Sequence, residues 1–415
     1  MKTSRHNGLG FICILGCMVV TMAGGCRRAD KQPSPEKRTP ASATPAAAAQ
    51  TSVADAPAVV PASDLELRAR KSLDRGLDYL IARQQTNGVW SNAEFPALSA
   101  LPLWALAIAG RPQDGAAMTR AATFIAGCVQ PDGGIYSVVP GRRGGSLGTY
   151  NTAICMTALH SLGRPDDVRI IQQARGYVAE TQLLGTDEYR GGFGYEKNSG
   201  QPYADLNNTA WALSAMRVTQ DVEESRPAGE ARVDVDWNAA LAFAQKMQLD
   251  TNTANSDDAG GFIYKPADPN KAGVATNAAT GRPYLRSFGS VTYSGLLSLI
   301  YAQVGRSDPR VVSAVDYARR HWTVDENPGM GQQGVFYYYT IMARSLATTG
   351  LRELPSVTEG GAPVLWRDEL LAKLLSLQQE DGSWANSNNR FWENDPALAT
   401  SYALLALEYA LGLVR

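Results

Sequence analysis

The chain has 415 residues, a formal charge of −1 at neutral pH, three histidines and five cysteines. That balance gives no electrostatic case for a nucleic-acid partner. Nor does any P-loop, dinucleotide fingerprint or nucleophile–base pair appear, so no cofactor is implied.

In chain order, Lys2 and Arg5 precede an apolar run from Leu9 to Met22. Such a run is too short to span a bilayer as a helix and has the form of a signal-peptide core. Ala23-Gly24-Gly25-Cys26 follows and resembles a bacterial lipobox, with Ala23 where Leu is usual. Residues 1–26 are thus expected to be a lipoprotein-type leader. Lipid on Cys26 would anchor the mature chain to a membrane in the periplasm or cell envelope; ordinary secretion is the alternative. A rival site at Cys17 would leave too short an apolar core. Residues 27–63 are Pro, Ala, Ser and Thr with scattered charge, a tether with nothing from which to build a core. At roughly 3 Å per residue it would reach up to about 100 Å. Cys13 and Cys17 leave with the leader. Cys128 and Cys155 sit on apolar helical stretches, where two small buried thiols are favoured over a disulfide.

From residue 64 to 415 the helix signals are regular. Leu65 to Arg83 carries Leu73, Leu77, Leu80 and Ile81 on one face and stops at Asn87-Gly88. Leu98 to Ala109 is apolar on nearly all sides, as in a helix buried all round. Helices of this second kind recur and align on a hydroxyl at Ser99, Thr152, Thr209, Thr292 and Thr400, with Tyr339 filling the slot once. Six slots predict six helix pairs. Asp236–Met247, Asp308–Arg320 and Trp366–Gln378 are outer, amphipathic members. An open stack needs polar end caps, whereas the last buried helix, Pro396 to Leu411, has none. The predicted fold class is therefore all-α, an (α/α)6 toroid around a central cavity. The polar stretch Asp250 to Ser287 is expected to cross one mouth.

Between the helices a turn motif recurs. Gln378-Gln379-Glu380-Asp381-Gly382-Ser383-Trp384 is its fullest copy, and Gln84 to Trp90, with Gly88, is a close one. Gln130-Pro131-Asp132-Gly133-Gly134, Gly191-Gly192-Phe193-Gly194-Tyr195 and Gly260-Gly261-Phe262-Ile263-Tyr264 are more distant. The motif resembles the QW repeat of the squalene/terpene cyclase and protein prenyltransferase superfamily. The resemblance implies a toroid in which the Gln amide ties off helix-end backbone and the Trp ring stacks over it. Gln84, Gly88, Trp90, Gly133, Gly192, Gly261, Gln378, Asp381, Gly382 and Trp384 would be these structural clamps.

The resemblance also implies two chemistries. Class II cyclases protonate an alkene with an Asp-x-Asp-Asp-Thr-Ala segment at a buried helix start. The counterpart here is Asp205-Leu206-Asn207-Asn208-Thr209-Ala210, and Asn has no transferable proton. Prenyltransferases bind zinc through an Asp-x-Cys pair and a His. Here Asp205 persists, but Asn207 stands at the Cys and Ala399 near the His position, so no metal site is expected. Asp205 reads as a helix N-cap ahead of any catalytic role; Asp395-Pro396 is a clearer cap, and Asp234 and Asp236 open an outer helix. His160 and His321 lack partners in sequence and read as structural. Trp104, Tyr150, Trp211, Tyr293, Phe336, Tyr337, Tyr338, Tyr339 and Tyr402 fall on or beside buried helices. With Asn207 and Asn208, the set led by Trp104, Tyr150, Trp211, Tyr293, Tyr338 and Tyr402 is expected to line the cavity. The expected function is binding of an apolar isoprenoid or lipid ligand, a peptide or a protein partner, with both chemistries lost. Two alternatives stand beside it: an isoprenoid-processing enzyme using Glu196, Asp257, Asp258 or Glu393, and a pure scaffold whose cavity is plugged.

Overall fold

The computed structural model describes residues 63–138, 147–197, 202–269 and 271–414. The expected leader, Cys26 and all of the tether but Ser63 lie outside the described residues. Ser63 itself begins the fold: its hydroxyl and the Glu66 side chain close a capping box on α1 (Asp64–Arg83).

Six helices form an inner ring: α2 (Ala97–Ala109), α4 (Gly148–Leu162), α6 (Leu206–Val218), α9 (Gly289–Tyr301), α11 (Val335–Thr349) and α13 (Pro396–Ala410). Each packs on the next, and α13 packs on α2, so the ring is closed. The outer members are α1, α3 (Gly115–Ala126), α5 (Val168–Glu180), α8 (Trp237–Met247), α10 (Pro309–Arg320) and α12 (Trp366–Leu377), with a short α7 (Gln220–Glu224) after α6. The sequence explains the sorting. α1 buries one stripe, Leu73, Gly76, Leu77 and Leu80, whereas α2 buries every residue from Ala97 to Leu106. A one-sided stripe needs one neighbour; an all-round apolar surface needs neighbours on every side. Among the described residues no helix is long and apolar enough to cross a membrane.

The hydroxyl slots have a shared task. Ser99, Thr152, Thr209, Thr292 and Thr400 accept the backbone N–H of Trp90, Ile135, Phe193, Phe262 and Trp384, at 2.8–3.1 Å. Each bond pins an incoming turn to its inner helix. In the remaining unit, the fifth in chain order, the polarity is reversed: the Tyr339 hydroxyl donates to the Val324 carbonyl at 2.6 Å.

The clamps join one outer helix to the next. The Gln84 amide donates to Gly88 O in its own turn and to Ala117 O in α3. Gln378 donates to Gly382 O and, across the closure, to Ser72 O in α1 at 2.8 Å. Gln182 and Gln248 do the same, reaching Asp236 O and Arg310 O; both escape a motif of fixed spacing. The Trp90 and Trp384 indoles, fully buried, donate to Leu80 O and Leu374 O of the preceding outer helix. One assignment is corrected. The turn glycines of the third and fourth copies are Gly191 and Gly260, not Gly192 and Gly261. Only the former have the positive φ, +93° and +86°, that matches +91° at Gly382. At Gly382 a Cβ would lie 2.5 Å from the Arg75 carbonyl of α1, so the close approach of turn to helix requires glycine.

The stretch 250–287 holds more than a loop. Val274–Thr276 (β1) pairs antiparallel with Pro283–Leu285 (β2), with Ala275 opposite Tyr284. Buried Asp258 anchors this hairpin, accepting from the Tyr284 hydroxyl, Arg286 and Ser287. Cys128 and Cys155 are buried free thiols; burial pushes both up, Cys155 well above the usual thiol range.

Candidate functional site

The N-terminal ends of the inner helices enclose a cavity of about 290 Å³. Four of them supply an aromatic wall: Tyr150 from α4, Trp211 from α6, Tyr337 from α11 and Tyr402 from α13. Trp211 is central, with ring centroids of Tyr150 at 6.3 Å and Tyr337 at 6.5 Å. Tyr337 meets Tyr402 edge-on at 5.9 Å. The hydroxyls are spent on one another: Tyr150 with Tyr402 at 3.2 Å, and Tyr337 with Ser294 at 3.3 Å. Burial raises the pKa of Tyr150 and Tyr402, keeping both neutral. What remains facing the cavity is largely ring surface.

Loops complete the lining with Phe95, Leu147, Tyr195, Tyr264, Lys271 and Trp392. No helical periodicity marks these positions, which is why sequence reasoning missed them. Tyr195 and Tyr264 were nonetheless signalled, since each closes a turn-motif copy four residues after its turn glycine. Phe391 and Trp392 are 40% and 48% exposed, so the cavity reaches the surface beside them. Trp392 packs edge-on against Phe95 at 5.1 Å. Two lining residues, Leu147 and Trp392, have φ of +48° and +61°. That region costs an L-residue roughly 1–2 kcal/mol.

Tyr150, Asn207, Asn208, Trp211 and Tyr402 line the cavity; Trp104, Tyr293 and Tyr338 do not. Tyr338 follows Tyr337, and successive helical residues point about 100° apart, so only Tyr337 faces in. Tyr338 instead donates to Thr323 O and packs on Tyr293. Tyr293 is likewise outside the lining, buried against Tyr338. Trp104 lies two helical turns deeper than Ala97, roughly 10 Å, and supports Trp211 from behind at 6.2 Å. The Arg344 guanidinium lies over both indoles, at 4.9 and 5.3 Å, and donates to Ser214. Glu408 of α13 is fully buried, and among the described residues neither carboxyl oxygen has a hydrogen-bond partner.

Asp205 is wholly buried and caps α6. Its two oxygens accept from the Asn208 backbone N–H at 2.9 Å and the Asn208 side-chain amide at 2.6 Å. Burial raises its pKa, against the opposing hydrogen bonds from Asn208, Tyr264 and Tyr203. It does not line the cavity. Asn207 does, and accepts from Ser294 at 2.9 Å. Asp395 and Asp236 cap α13 and α8, and Asp234 accepts from the Trp237 indole.

Of the other acids, Glu393 alone lines the cavity. It is 1% exposed, accepts from Tyr337 N and Asn386 Nδ2 at 2.8 Å, and receives the N–H groups of Val335 and Phe336. Burial raises its pKa, while these donors at the start of α11 oppose the shift. Asp257 pairs with Arg286 at 3.2 Å, Asp258 is built into the hairpin, and Glu196 is not in the lining. His160 pairs with Asp221 at 2.8 Å. His321 bonds the Asp257 carbonyl at 2.7 Å. Neither lines the cavity. At the zinc positions of the resembled prenyltransferases, Asp205 is occupied by Asn208, Asn207 bonds Ser294, and Ala399 has no donor atom. That set does not fit zinc.

No family model and no curated protein sequence matches the chain. Solved structures do. One is a variant of the type II terpene cyclase MstE from Scytonema, at TM-score 0.52 and 12% identity, covering 84% of this chain and 99% of that one. Another is α-1,6-mannanase GH76A of Salegentibacter sp. HEL1_6, an inactive variant with α-1,6-mannotriose, at TM-score 0.52 and 11% identity, covering 84% and 100%. A further MstE variant, in complex with its substrate geranylgeranyl dihydroxybenzoate, matches at TM-score 0.50 and 12% identity, covering 84% and 99%. The chain has the α/α toroid fold common to this cyclase and this glycosidase.

Proposed function

We propose that this toroid is a binding protein whose central cavity takes an apolar chain of isoprenoid or lipid type, and that it does not initiate cyclisation by protonation. One observation carries this: an aromatic cavity of about 290 Å³ whose acid positions are filled by the amides Asn207 and Asn208. A cavity with such a wall suits an apolar prenyl chain. Aromatic faces would hold such a chain by area burial, about 0.8 kcal/mol per methylene. A plugged scaffold would leave no such space. The bound geranylgeranyl group of the cyclase neighbour is consistent with this choice of ligand. A pair of flanking carboxylates, which glycoside hydrolysis requires, is not met in the described lining, where Glu393 stands alone.

Glu393 is also the one foothold for an enzymatic reading, as an acid at the cavity wall. Its oxygens are already engaged by Asn386 and the start of α11, which favours binding over catalysis. Titration of the protein with geraniol or farnesol, followed by tryptophan fluorescence, separates the two. Saturable quenching without product is expected, and Trp211→Ala should weaken it tenfold or more. Conversion of a polyprene to a cyclic product, or no saturable response, would overturn the proposal.

Lipid on Cys26 and export to the cell envelope belong to the same proposal, because a membrane is where such ligands reside. Cys26→Ser is expected to move the protein from the membrane fraction to the soluble fraction and to abolish palmitate labelling. Unchanged fractionation would remove the anchor from this picture of its function.

A further inference from the structure

The cavity has a cationic lip. Lys271, from the loop ahead of β1, lines the cavity with its ammonium 4.5 Å from the centre of the Tyr264 ring and 4.9 Å from that of Phe391. Arg390 lines it too, with its guanidinium 5.9 Å from the same Phe391 ring. Two cations thus share one aromatic residue at the edge of a cavity with a largely aromatic wall. Among the described residues neither has an ion-pair partner. The nearby carboxylates are committed elsewhere: Glu393 to Asn386 and the α11 backbone, Asp268 to Lys265 at 3.6 Å, and Asp205 to Asn208.

A half-buried ammonium that lies against two ring faces, with no ion-pair partner among the described residues, is incompletely satisfied by itself. Desolvation lowers the Lys271 pKa; the charges of Asp205 and Asp268 oppose the shift without reversing it, and Arg390 and Lys265 add to it. Cation–π contact offsets part of this, roughly 0.5–2 kcal/mol per ring. An anion at the lip would remove the repulsion and supply the missing acceptor.

We infer that the ligand is an amphiphile: its apolar chain fills the aromatic cavity, and a carboxylate or phosphate head sits between Lys271 and Arg390. This rests on the binding role proposed above and adds the chemistry of the ligand's head. The geometry also sets its orientation. The chain tail points at Trp211, Tyr150 and Tyr402, and the head stays at the surface beside Phe391.

The test uses three probes with the same fifteen-carbon chain: farnesol, farnesoate and farnesyl phosphate, titrated into the purified protein at low salt. Both anions are expected to bind at least tenfold tighter than farnesol, and the tighter of the two identifies the head as carboxylate or phosphate. Lys271→Met keeps the aliphatic stem and removes the charge. It should cut the anion advantage over farnesol to threefold or less, and an unchanged far-UV circular dichroism spectrum and thermal midpoint will show that the variant is folded. Arg390→Gln should have a smaller effect of the same kind, since its guanidinium is more exposed. Raising the salt concentration should erode the advantage of the anions and not the binding of farnesol. Equal affinity for all three probes would overturn the inference and leave the apolar-cavity role intact. So would an anion advantage that survives the Lys271→Met, Arg390→Gln double variant. Failure of all three probes to bind would overturn the role itself.

Discussion

Replacing Trp384 with alanine should destabilise the toroid by about 3–5 kcal/mol, the usual cost of removing a buried tryptophan. The expected loss comes from one side chain joining two helices, at a residue whose backbone is pinned to a third. The indole is fully buried and donates to Leu374 O of α12 at 2.8 Å. Its backbone N–H is received by Thr400 of α13 at 3.0 Å. Its ring covers Gly76 of α1, where even a Cβ would lie 2.7 Å from it. Trp384 therefore sits at the junction where the last repeat meets the first. Urea denaturation of Trp384→Ala, with Gly382→Ala as a second perturbation of the same junction, measures the effect. A loss below about 1 kcal/mol for Trp384→Ala would mean that neighbouring side chains collapse into the space. The closure would then depend on the Gln378–Ser72 bond instead.

Glu408→Leu should act in the opposite direction, stabilising the protein at neutral and alkaline pH by about 1–3 kcal/mol, the cost of an unsatisfied buried polar group. Burial raises the Glu408 carboxyl well above its ordinary value of 4.5, and no hydrogen bond offsets it. The folded state consequently holds a proton that the unfolded chain gives up above that value. Stability is full below the unfolded pKa and is lost as pH rises toward the folded one. Thermal melts from pH 4 to pH 9 should show wild-type stability falling across that window. In Glu408→Leu the Glu408 part of the slope should vanish, so that the variant gains most at the alkaline end. Glu408→Gln removes the same titration while keeping the polarity. A Glu408→Leu variant less stable than wild type at pH 8 would show that the carboxylate is ionised and paired in the folded protein.

Much of the ring was legible because its signals are local. A hydroxyl followed by small and apolar residues marks Thr152, Thr209, Thr292 and Thr400 as equivalent without reference to any contact, and each receives the same backbone bond. The motif was harder where its spacing changes. Gln84 and Gln378 bond a glycine four residues on, whereas Gln182 and Gln248 reach across nine and twelve. A fixed pattern cannot see that the longer turns return to the same point. The cavity was legible only in part, for two separate reasons. Tyr337 and Tyr338 differ by one step of helical phase, which composition does not reveal. Lys271, Phe391 and Trp392 depend on loop paths that no periodicity encodes. The hairpin escaped for a related reason: its strands, Val274–Thr276 and Pro283–Leu285, are three residues each and carry no buried residue.

The bond between Ser72 and Gln378 spans 306 residues of chain. At the usual 5–20 residues per second, the ribosome needs on the order of 15–60 seconds to make the partner that α1 requires. Throughout that interval Leu73, Leu77 and Leu80 form an apolar stripe without the helix that covers it. The earliest part of the domain to be synthesised is thus among the last to be completed. Biogenesis, more than final stability, is where small losses at the closure should be felt first.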